Sequence, residues 1–372
     1  MFDDQLLDDL YAAARAGDMA AFQAGVAPLW AAAEKAGPGE AALALERITG
    51  LFPLVPVGAS ARLAAVAVTL VERGAPPDAA IRAASNGLLA TLTAAGDFVD
   101  SWRAMVGRKV PLPDPGDGQD AYETTIARLI RGRRWPVRRG LPSDQAIVRA
   151  SAWFMLDDWT LPARTLLTDR RTRTAFPCRT ETARLVARLA ADRGDLDDLL
   201  ELLTVLDDET LVVLHRADGR AYLVTICGVA DNFQLYTLLA GALGDVITGL
   251  APEPSWVAAA GTGPADAAER IEARFQLTDG YGEYVPVQGR PADIPLLEDR
   301  RVVVLDPPPY GRSWDLGRTH DGLTPDVRLL AVLDDKTAAH WRSAVAGPPA
   351  VPEPAPAHFH FALRRGTVEI TA

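Results

Sequence analysis

The sequence predicts an α+β multidomain protein, with an irregular all-α array of helical hairpins at the N-terminus followed by a mostly antiparallel α+β domain. The first 205 or so residues consist of Ala-rich and Arg-rich apolar runs separated by short Gly-Asp pairs. After about residue 208 the apolar runs become short, β-branched and aromatic. Proline-rich stretches at 109–119 and 348–357 interrupt this order. Together these changes in the periodicity of the apolar residues predict a helical N-terminal part followed by a β-sheet.

The helical part depends on three Gly-Asp pairs. Glycine can adopt the left-handed conformation that ends a helix, and aspartate accepts the unbonded N–H groups that begin the next one. The pairs begin at Gly17, Gly96 and Gly194, so their spacing is unequal and matches no constant helical repeat. Pro28 lies inside one candidate helix and predicts a kink or a break there. The predicted helices are 4–16, 19–35, 40–51, 59–73, 78–95, 98–106, 121–131, 143–158, 162–169, 181–193 and 196–206.

The second half predicts strands. Segments 210–216 and 220–227 flank Asp218-Gly219, the signal of a hairpin turn, and 270–277 and 283–287 flank a second turn rich in glycine. Asp231 and Gln234 have the spacing of a capping box that opens a helix ending near Gly244. Segments 301–305 and 327–332 are further short strands, 336–345 is a helix, and 358–370 is a strand pair that returns to the sheet.

These patterns predict six segments along the chain. They are a helical array at 1–108, a linker at 109–120, an Arg-rich helical region at 121–207 continuous with the first, an α+β domain at 208–347, a Pro-rich linker at 348–357 and a C-terminal strand pair at 358–372.

Charge is distributed unevenly along the chain. The formal net charge is −11, yet residues 121–195 contain 15 arginines against 8 acidic residues. An acidic chain is disfavoured as a general nucleic-acid binder, which usually presents a basic face. Arginine outnumbers lysine throughout the sequence, so the local use of arginine does not by itself indicate phosphate recognition.

The densest basic segment is the candidate binding patch. Guanidinium groups pair with carboxylates or phosphates, and an indole ring adds a flat contact surface. The segment could bind an acidic protein or peptide, or it could contact the acidic parts of its own chain; nucleic acid is the least favoured partner. The patch consists of Arg128, Arg131, Arg133, Arg134, Trp135, Arg138 and Arg139.

Candidate catalytic residues follow the predicted strand 301–305. Asp306, Tyr310 and His320 surround a proline turn at a strand end, a place where loops often hold ligands, but the segment is more typical of a structured surface loop than of a catalytic one. His358 and His360 could ligate a metal with His320, but alternation with two phenylalanines favours solvent-facing histidines instead. The chain contains no P-loop, HExxH, CxxC or GxSxG motif, and no metal or cofactor is predicted.

We therefore expect a non-catalytic protein- or peptide-binding protein, a scaffold or accessory factor with a helical platform and an Arg/Trp patch. The alternative is an enzyme that acts on an acidic or phosphorylated small molecule or peptide between the helical and α+β parts. The acidic N-terminus lacks a secretion signal, no apolar run is long enough for a membrane span, and Cys178 and Cys227 are far apart. A cytoplasmic location without membrane contact is the expectation; oligomeric state is left open.

Overall fold

The computed structural model describes residues 4–132, 140–263, 269–309, 311–316, 320, 322–347, 361–363 and 366–371. The chain divides into two compact units, Met1–Leu203 and Thr204–Ala372. The first unit is helical, and the described part of the second combines two sheets with three α-helices. The predicted α+β class, with helices first and strands afterwards, is confirmed.

Eleven α-helices are described in the N-terminal part of the chain. They are α1 (Asp4–Ala16), α2 (Met19–Ala33), α3 (Pro38–Thr49), α4 (Val57–Glu72), α5 (Asp78–Trp102), α6 (Gly118–Arg131), α7 (Ser143–Phe154), α8 (Leu156–Thr168), α9 (Arg170–Ala175), α10 (Arg179–Ala190) and α11 (Asp197–Thr204). The first Gly-Asp corner forms as predicted, because Gly17 has a φ of 70° and the Asp18 carboxylate accepts from the Ala21 N–H. Pro28 does not break its helix, since α2 continues to Ala33.

The second Gly-Asp pair does not form a corner. Helix α5 is 25 residues long and continues through Gly96. The helix predicted at 78–95 and the start of the helix predicted at 98–106 therefore form a single helix. Buried residues such as Leu88, Leu92 and Val99 line the same helix on both sides of the pair. A continuous apolar stripe therefore outweighs the local turn signal, and the cost of one interior glycine is roughly 1 kcal/mol.

The predicted boundary between the next two helices is also wrong. Helix α7 ends at Phe154, and α8 begins at Leu156 and continues through Pro162, where the sequence had predicted a new start. Tertiary packing explains the difference. Trp159 is 1% exposed, and its ring lies so close to α5 that a Cβ on Gly87 would be 1.9 Å from it. Burial of this indole fixes the N-terminal half of α8 despite the proline.

The second unit contains ten described strands in two sheets. In the larger sheet the order is β4-β6-β1-β2-β8, with β5 pairing β6; in the smaller one it is β3-β7-β10-β9. The strands are β1 (Glu209–His215), β2 (Arg220–Cys227), β3 (Glu269–Glu272), β4 (Gln276–Asp279), β5 (Leu296–Leu297), β6 (Arg300–Asp306), β7 (Gly311–Leu316), β8 (Asp326–Val332), β9 (Phe361–Leu363) and β10 (Gly366–Thr371). All described pairings are antiparallel except β1 with β6.

Helices cover both faces of the larger sheet. These helices are α12 (Asn232–Leu243) and α14 (Asp335–Ala344), whereas α13 (Pro254–Ala260) packs beside α12 and contacts strands β3 and β7 of the smaller sheet. Strand alternation explains the arrangement: Leu211 and Val213 of β1 join the core under α12, whereas Val212 and Leu214 join the core under α14. The predicted cap is present, since the Asp231 carboxylate accepts from the Gln234 N–H at 2.9 Å.

Two predictions about the strands are corrected. The segment predicted as one strand at 270–277 is split between β3 and β4, which belong to different sheets, and 283–287 contributes only a bridge between Thr278 and Tyr284. Residues 311–316, predicted as part of a loop, form β7 between β3 and β10. Both errors arise because pairing between strands that are distant in sequence cannot be predicted from the local residue pattern.

Candidate functional site

Helices α6 and α7 form an antiparallel hairpin that carries the described part of the predicted binding patch. At one end the Tyr122 hydroxyl lies 2.8 Å from Ser151 Oγ, and its ring is edge-on to Phe154 at 5.5 Å. At the other end the Leu141 N–H donates to the Leu129 carbonyl at 3.0 Å. The C-terminal turn of α6 therefore lies beside the start of α7.

Arg128 and Arg131 lie in this last turn of α6, and both are exposed. The Arg128 guanidinium is 5.9 Å from the centroid of the buried Trp102 ring, a cation–π contact. Within the described first unit, neither arginine has a carboxylate at ion-pairing distance. Cations at a helix C-terminus are favoured by the helix dipole. The contact with Trp102 thus restrains Arg128, and no carboxylate of the described first unit neutralises either arginine.

Other arginines of the same basic region are used inside the unit. Arg188 pairs with Asp100 at 2.6 Å, and Arg149 donates to Ser101 Oγ at 2.5 Å. Arg179 donates to the Leu203 carbonyl at 2.7 Å. These bonds join helices that are distant in sequence. Much of the positive charge between residues 121 and 195 is therefore part of the architecture of the first unit.

Arg173 shows this internal role most clearly. It is 2% exposed and donates to the Leu167 and Thr168 carbonyls at 2.9 and 2.7 Å. Those carbonyls belong to the last turn of α8, where four C=O groups have no partner inside the helix. Arg170, Arg171 and Arg173 follow the end of α8 and begin α9, from which Arg173 reaches back to cap α8.

Arg193 is the centre of an ion-pair cluster that sequence pattern did not single out. Its guanidinium pairs with Asp157 and Asp195 at 2.5 Å each, donates to the Trp153 carbonyl and lies 5.2 Å from the Trp153 ring centroid. The hydrogen bond from Arg193 lowers the pKa of Asp195 to about 2. Burial raises the pKa of Asp157 despite the same arginine. The cluster joins α7, α8 and the turn before α11.

The other five residues of the predicted patch lie in a segment that the structure does not describe. Arg133, Arg134, Trp135, Arg138 and Arg139 lie outside the described residues. Only Arg128 and Arg131 of the predicted set can therefore be placed, and the contribution of the other five stays a prediction.

Among the candidate catalytic residues, Asp306 is buried at the end of β6. One carboxylate oxygen accepts from Arg216 Nε at 2.5 Å and the other from Thr278 Oγ1 at 2.9 Å. Both oxygens are thus occupied by neighbouring strands, which is typical of a structural carboxylate. Tyr310 lies outside the described residues, and the His320 carbonyl accepts from the Leu323 N–H. The catalytic role of these three residues therefore stays a prediction.

The histidines predicted as possible metal ligands give no described site either. His358 and His360 lie outside the described residues. In the part of the chain that the structure describes, no group of three or more His, Cys, Asp or Glu side chains is placed to hold a metal ion.

A small recess opens in the second unit between α12, α13 and β7. Its walls include Tyr236, Trp256, Phe275 and Trp314, and its empty space is about 250 Å³, part of it open to solvent. Only about 10 Å³ of this space can hold the centre of a water-sized sphere, which is about what a single water molecule needs. The Tyr236 and Phe275 rings stack on each other at 5.0 Å and present little of their faces to the recess. Its dimensions are those of a packing defect in an aromatic core.

Comparisons with protein families, with curated proteins and with solved structures find no match for this chain. Over the described residues, no helix combines the length and the apolar character that crossing a membrane requires.

Two features of the hairpin went unnoticed in the sequence. One is the pair of exposed aliphatic residues Ile130 and Ile147, which are 41% and 44% exposed. Helical patterns predict apolar side chains to be buried, so only the hairpin packing shows these two at the surface. The other is the division of the arginines into paired and unpaired groups, which depends on contacts between distant helices.

Proposed function

We propose that this chain is a non-catalytic protein- or peptide-binding protein that captures an acidic segment at the C-terminal end of α6. The observation that carries the proposal is the state of Arg128 and Arg131. Both are exposed and lack a carboxylate partner in the described first unit, whereas arginines on the neighbouring helices are paired.

The surroundings of these two arginines support binding to an anion. The guanidinium group is planar and matches a carboxylate in two parallel hydrogen bonds. Contact with the buried Trp102 restrains Arg128, so less side-chain freedom is lost when a partner binds. Trp102 is itself fixed, since its Nε1 donates to the Val110 and Pro111 carbonyls at 3.3 and 3.1 Å. A stationary, unneutralised cation is a good anchor for a carboxylate.

The experiment compares two double charge reversals by fluorescence polarisation with fluorescein-labelled poly-L-glutamate. Arg128→Glu/Arg131→Glu is the test variant. Arg15→Glu/Arg184→Glu is the matched control, because both control residues are exposed, Arg15 also stacks on an aromatic ring (Tyr11, at 5.6 Å), and the change in net charge is equal.

We expect the test variant to bind poly-L-glutamate at least about tenfold more weakly, which corresponds to roughly 1.4 kcal/mol. The control variant should lose about threefold or less, because its charges act only at long range. Equal losses in both variants would show a non-specific field effect and contradict the proposal. Absence of binding by the unaltered protein at low ionic strength would contradict it as well.

A further inference from the structure

Residues 110–115 form a proline-rich segment that is bonded to two buried tryptophans, the tryptophan pair. Trp102 of α5 donates its indole N–H to the Pro111 carbonyl at 3.1 Å. Trp153 of α7 donates its indole N–H to the Pro113 carbonyl at 2.9 Å. The two tryptophans are only 2% and 1% exposed. Because both bonds are made to the main chain of the segment, they do not depend on the side chains that it carries.

A third aromatic residue joins the tryptophan pair. The Phe98 ring stacks on the Trp153 ring at 5.3 Å and lies 5.9 Å from the Trp102 ring. Phe98 is itself fully buried. The three rings, contributed by α5 and α7, therefore form one aromatic cluster whose two indole N–H groups bond to the same proline-rich segment.

The backbone of this segment is restricted to an extended conformation. Proline fixes φ near about −65°, and a residue that precedes a proline is restricted to extended backbone. Asp114, which precedes a proline, has φ −78° and ψ 124°. A polyproline II helix repeats every three residues, so the carbonyls of Val110 and Pro113 lie on the same side of it. Both accept from the tryptophan pair, at 3.3 and 2.9 Å, and aromatic side chains against an extended proline-rich chain are a common mode of peptide recognition.

The sequence contains the pattern of this segment a second time. Residues 110–115 are Val-Pro-Leu-Pro-Asp-Pro, and residues 351–356 are Val-Pro-Glu-Pro-Ala-Pro. This pattern of one valine and three alternating prolines occurs only at these two places in the sequence. The differences fall at Leu112 and Asp114, whose carbonyls do not accept from the tryptophan pair. Residues 351–356 lie outside the described residues, but the prolines that restrict the backbone are common to both segments.

We propose that the tryptophan pair is a docking site between copies of this chain, where residues 351–356 of a second copy compete with residues 110–115. The proposal goes beyond the proposed function, because it involves neither Arg128 nor Arg131. Residues 110–115 follow α5 closely in the chain, so their effective concentration at Trp102 is on the order of millimolar. A segment from a second copy therefore binds measurably once the resident segment, residues 110–115, is loosened.

The binding test uses a fluorescein-labelled peptide with the sequence of residues 347–357, the natural peptide. The control peptide has alanine in place of Pro352 and Pro354, which frees the backbone and leaves the charge unchanged. Binding of both peptides to the full chain is measured by fluorescence polarisation.

Two variants of the full chain are compared. The loosened variant is Pro111→Gly/Pro113→Gly, which keeps the length of the resident segment but removes two of its backbone restraints. The control variant is Pro56→Gly/Pro76→Gly, which replaces two exposed prolines that precede α4 and α5. Thermal unfolding verifies that each variant is folded.

We expect the natural peptide to bind the loosened variant at least about tenfold more tightly than the control variant, because glycine increases the entropy that the resident segment loses on docking. The control peptide should bind the loosened variant about tenfold more weakly than the natural peptide for the same reason. In proton–nitrogen NMR spectra, the natural peptide should shift the indole signals of Trp102 and Trp153 in the loosened variant. The signal of Trp159, which packs against Gly87, should stay unchanged.

Light scattering tests whether the occupant is a second copy. The loosened variant should form a concentration-dependent dimer, and Pro352→Ala/Pro354→Ala in the same chain should abolish it. If the loosened variant binds the natural peptide yet stays monomeric, the second copy is overturned as the occupant. If the two peptides bind equally, or if the Trp102 and Trp153 signals do not move, the tryptophan pair is not a docking site, whatever the result with poly-L-glutamate.

Discussion

Two groups of arginines in the helical unit have opposite uses. Arg173 and Arg193 are 2% and 7% exposed and bond to carbonyls and carboxylates of neighbouring helices. Arg128 and Arg131 are exposed at the end of α6 and have no carboxylate partner in the described first unit. Arginines from the same stretch of sequence thus stabilise helix packing at some positions and present an exposed positive charge at others. Local density of arginine does not distinguish these uses; tertiary contact does.

The largest expected effect is a loss of unfolding free energy when the buried Arg193 is replaced. Arg193→Ala removes the counter-charge of Asp157 and Asp195 and a hydrogen bond to the Trp153 carbonyl. Breaking a partly buried cluster by removing one partner costs about 3 kcal/mol, reduced from the fully buried case because both carboxylates are partly exposed. Urea unfolding will measure it, with Arg184→Ala as the control expected to change stability by about 0.5 kcal/mol or less. A loss as small as the control's would show that the cluster is not structural.

A somewhat smaller loss is expected at Arg173. Arg173→Met keeps most of the buried volume but leaves the Leu167 and Thr168 carbonyls without this donor. An unsatisfied buried acceptor costs roughly 1–3 kcal/mol. Hydrogen exchange should show α8 and α9 opening more readily, while α1 and α2 are unaffected. Unchanged protection of α8 would mean that other groups or water replace the cap.

The pH dependence of the unfolding free energy also tests the ion-pair cluster around Arg193. The pKa of Asp195 is lowered to about 2 by the hydrogen bond from Arg193, so its ionised form is stabilised by folding. Its contribution is complete above the ordinary value of 3.8 and is lost as the pH falls toward about 2. The raised pKa of Asp157 acts in the opposite sense, because its ionised form is disfavoured in the folded state.

Asp195→Asn isolates the first of these two effects. Because the carboxylate is partly exposed, we expect the variant to lose about 1 kcal/mol of unfolding free energy at pH 7 and almost nothing near pH 2. Denaturant unfolding at both pH values will measure the two losses. An equal loss at both would show that charge at this position is irrelevant.

Much of the fold could be predicted because local signals agree with the tertiary structure. Gly17 and Asp18 form the predicted corner, and the β1–β2 hairpin closes with His215 paired to Arg220 on either side of the predicted turn. Gly96 misled the prediction because the buried stripe of α5 outweighs a turn signal. Pro162 misled it because Trp159 packs against Gly87 and holds α8 in place. In each failure a contact distant in sequence decided the outcome.

The candidate site was predictable only in outline. The basic cluster was evident from the charge pattern, and Arg128 and Arg131 belong to it. That these two residues lack partners in the described first unit, while Arg188 pairs with Asp100, depends on helix packing that no local pattern encodes.

In the proposed function, the arginines at the end of α6 bind a partner and do not hold the fold together. The most direct measurement determines both the unfolding free energy and the affinity for fluorescein-labelled poly-L-glutamate in Arg128→Glu/Arg131→Glu. We predict a change in unfolding free energy of about 0.5 kcal/mol or less, as is usual for exposed positions, together with at least about a tenfold loss of affinity. A loss of about 2 kcal/mol or more in stability with unchanged affinity would contradict it and assign these arginines to the same internal role as Arg193.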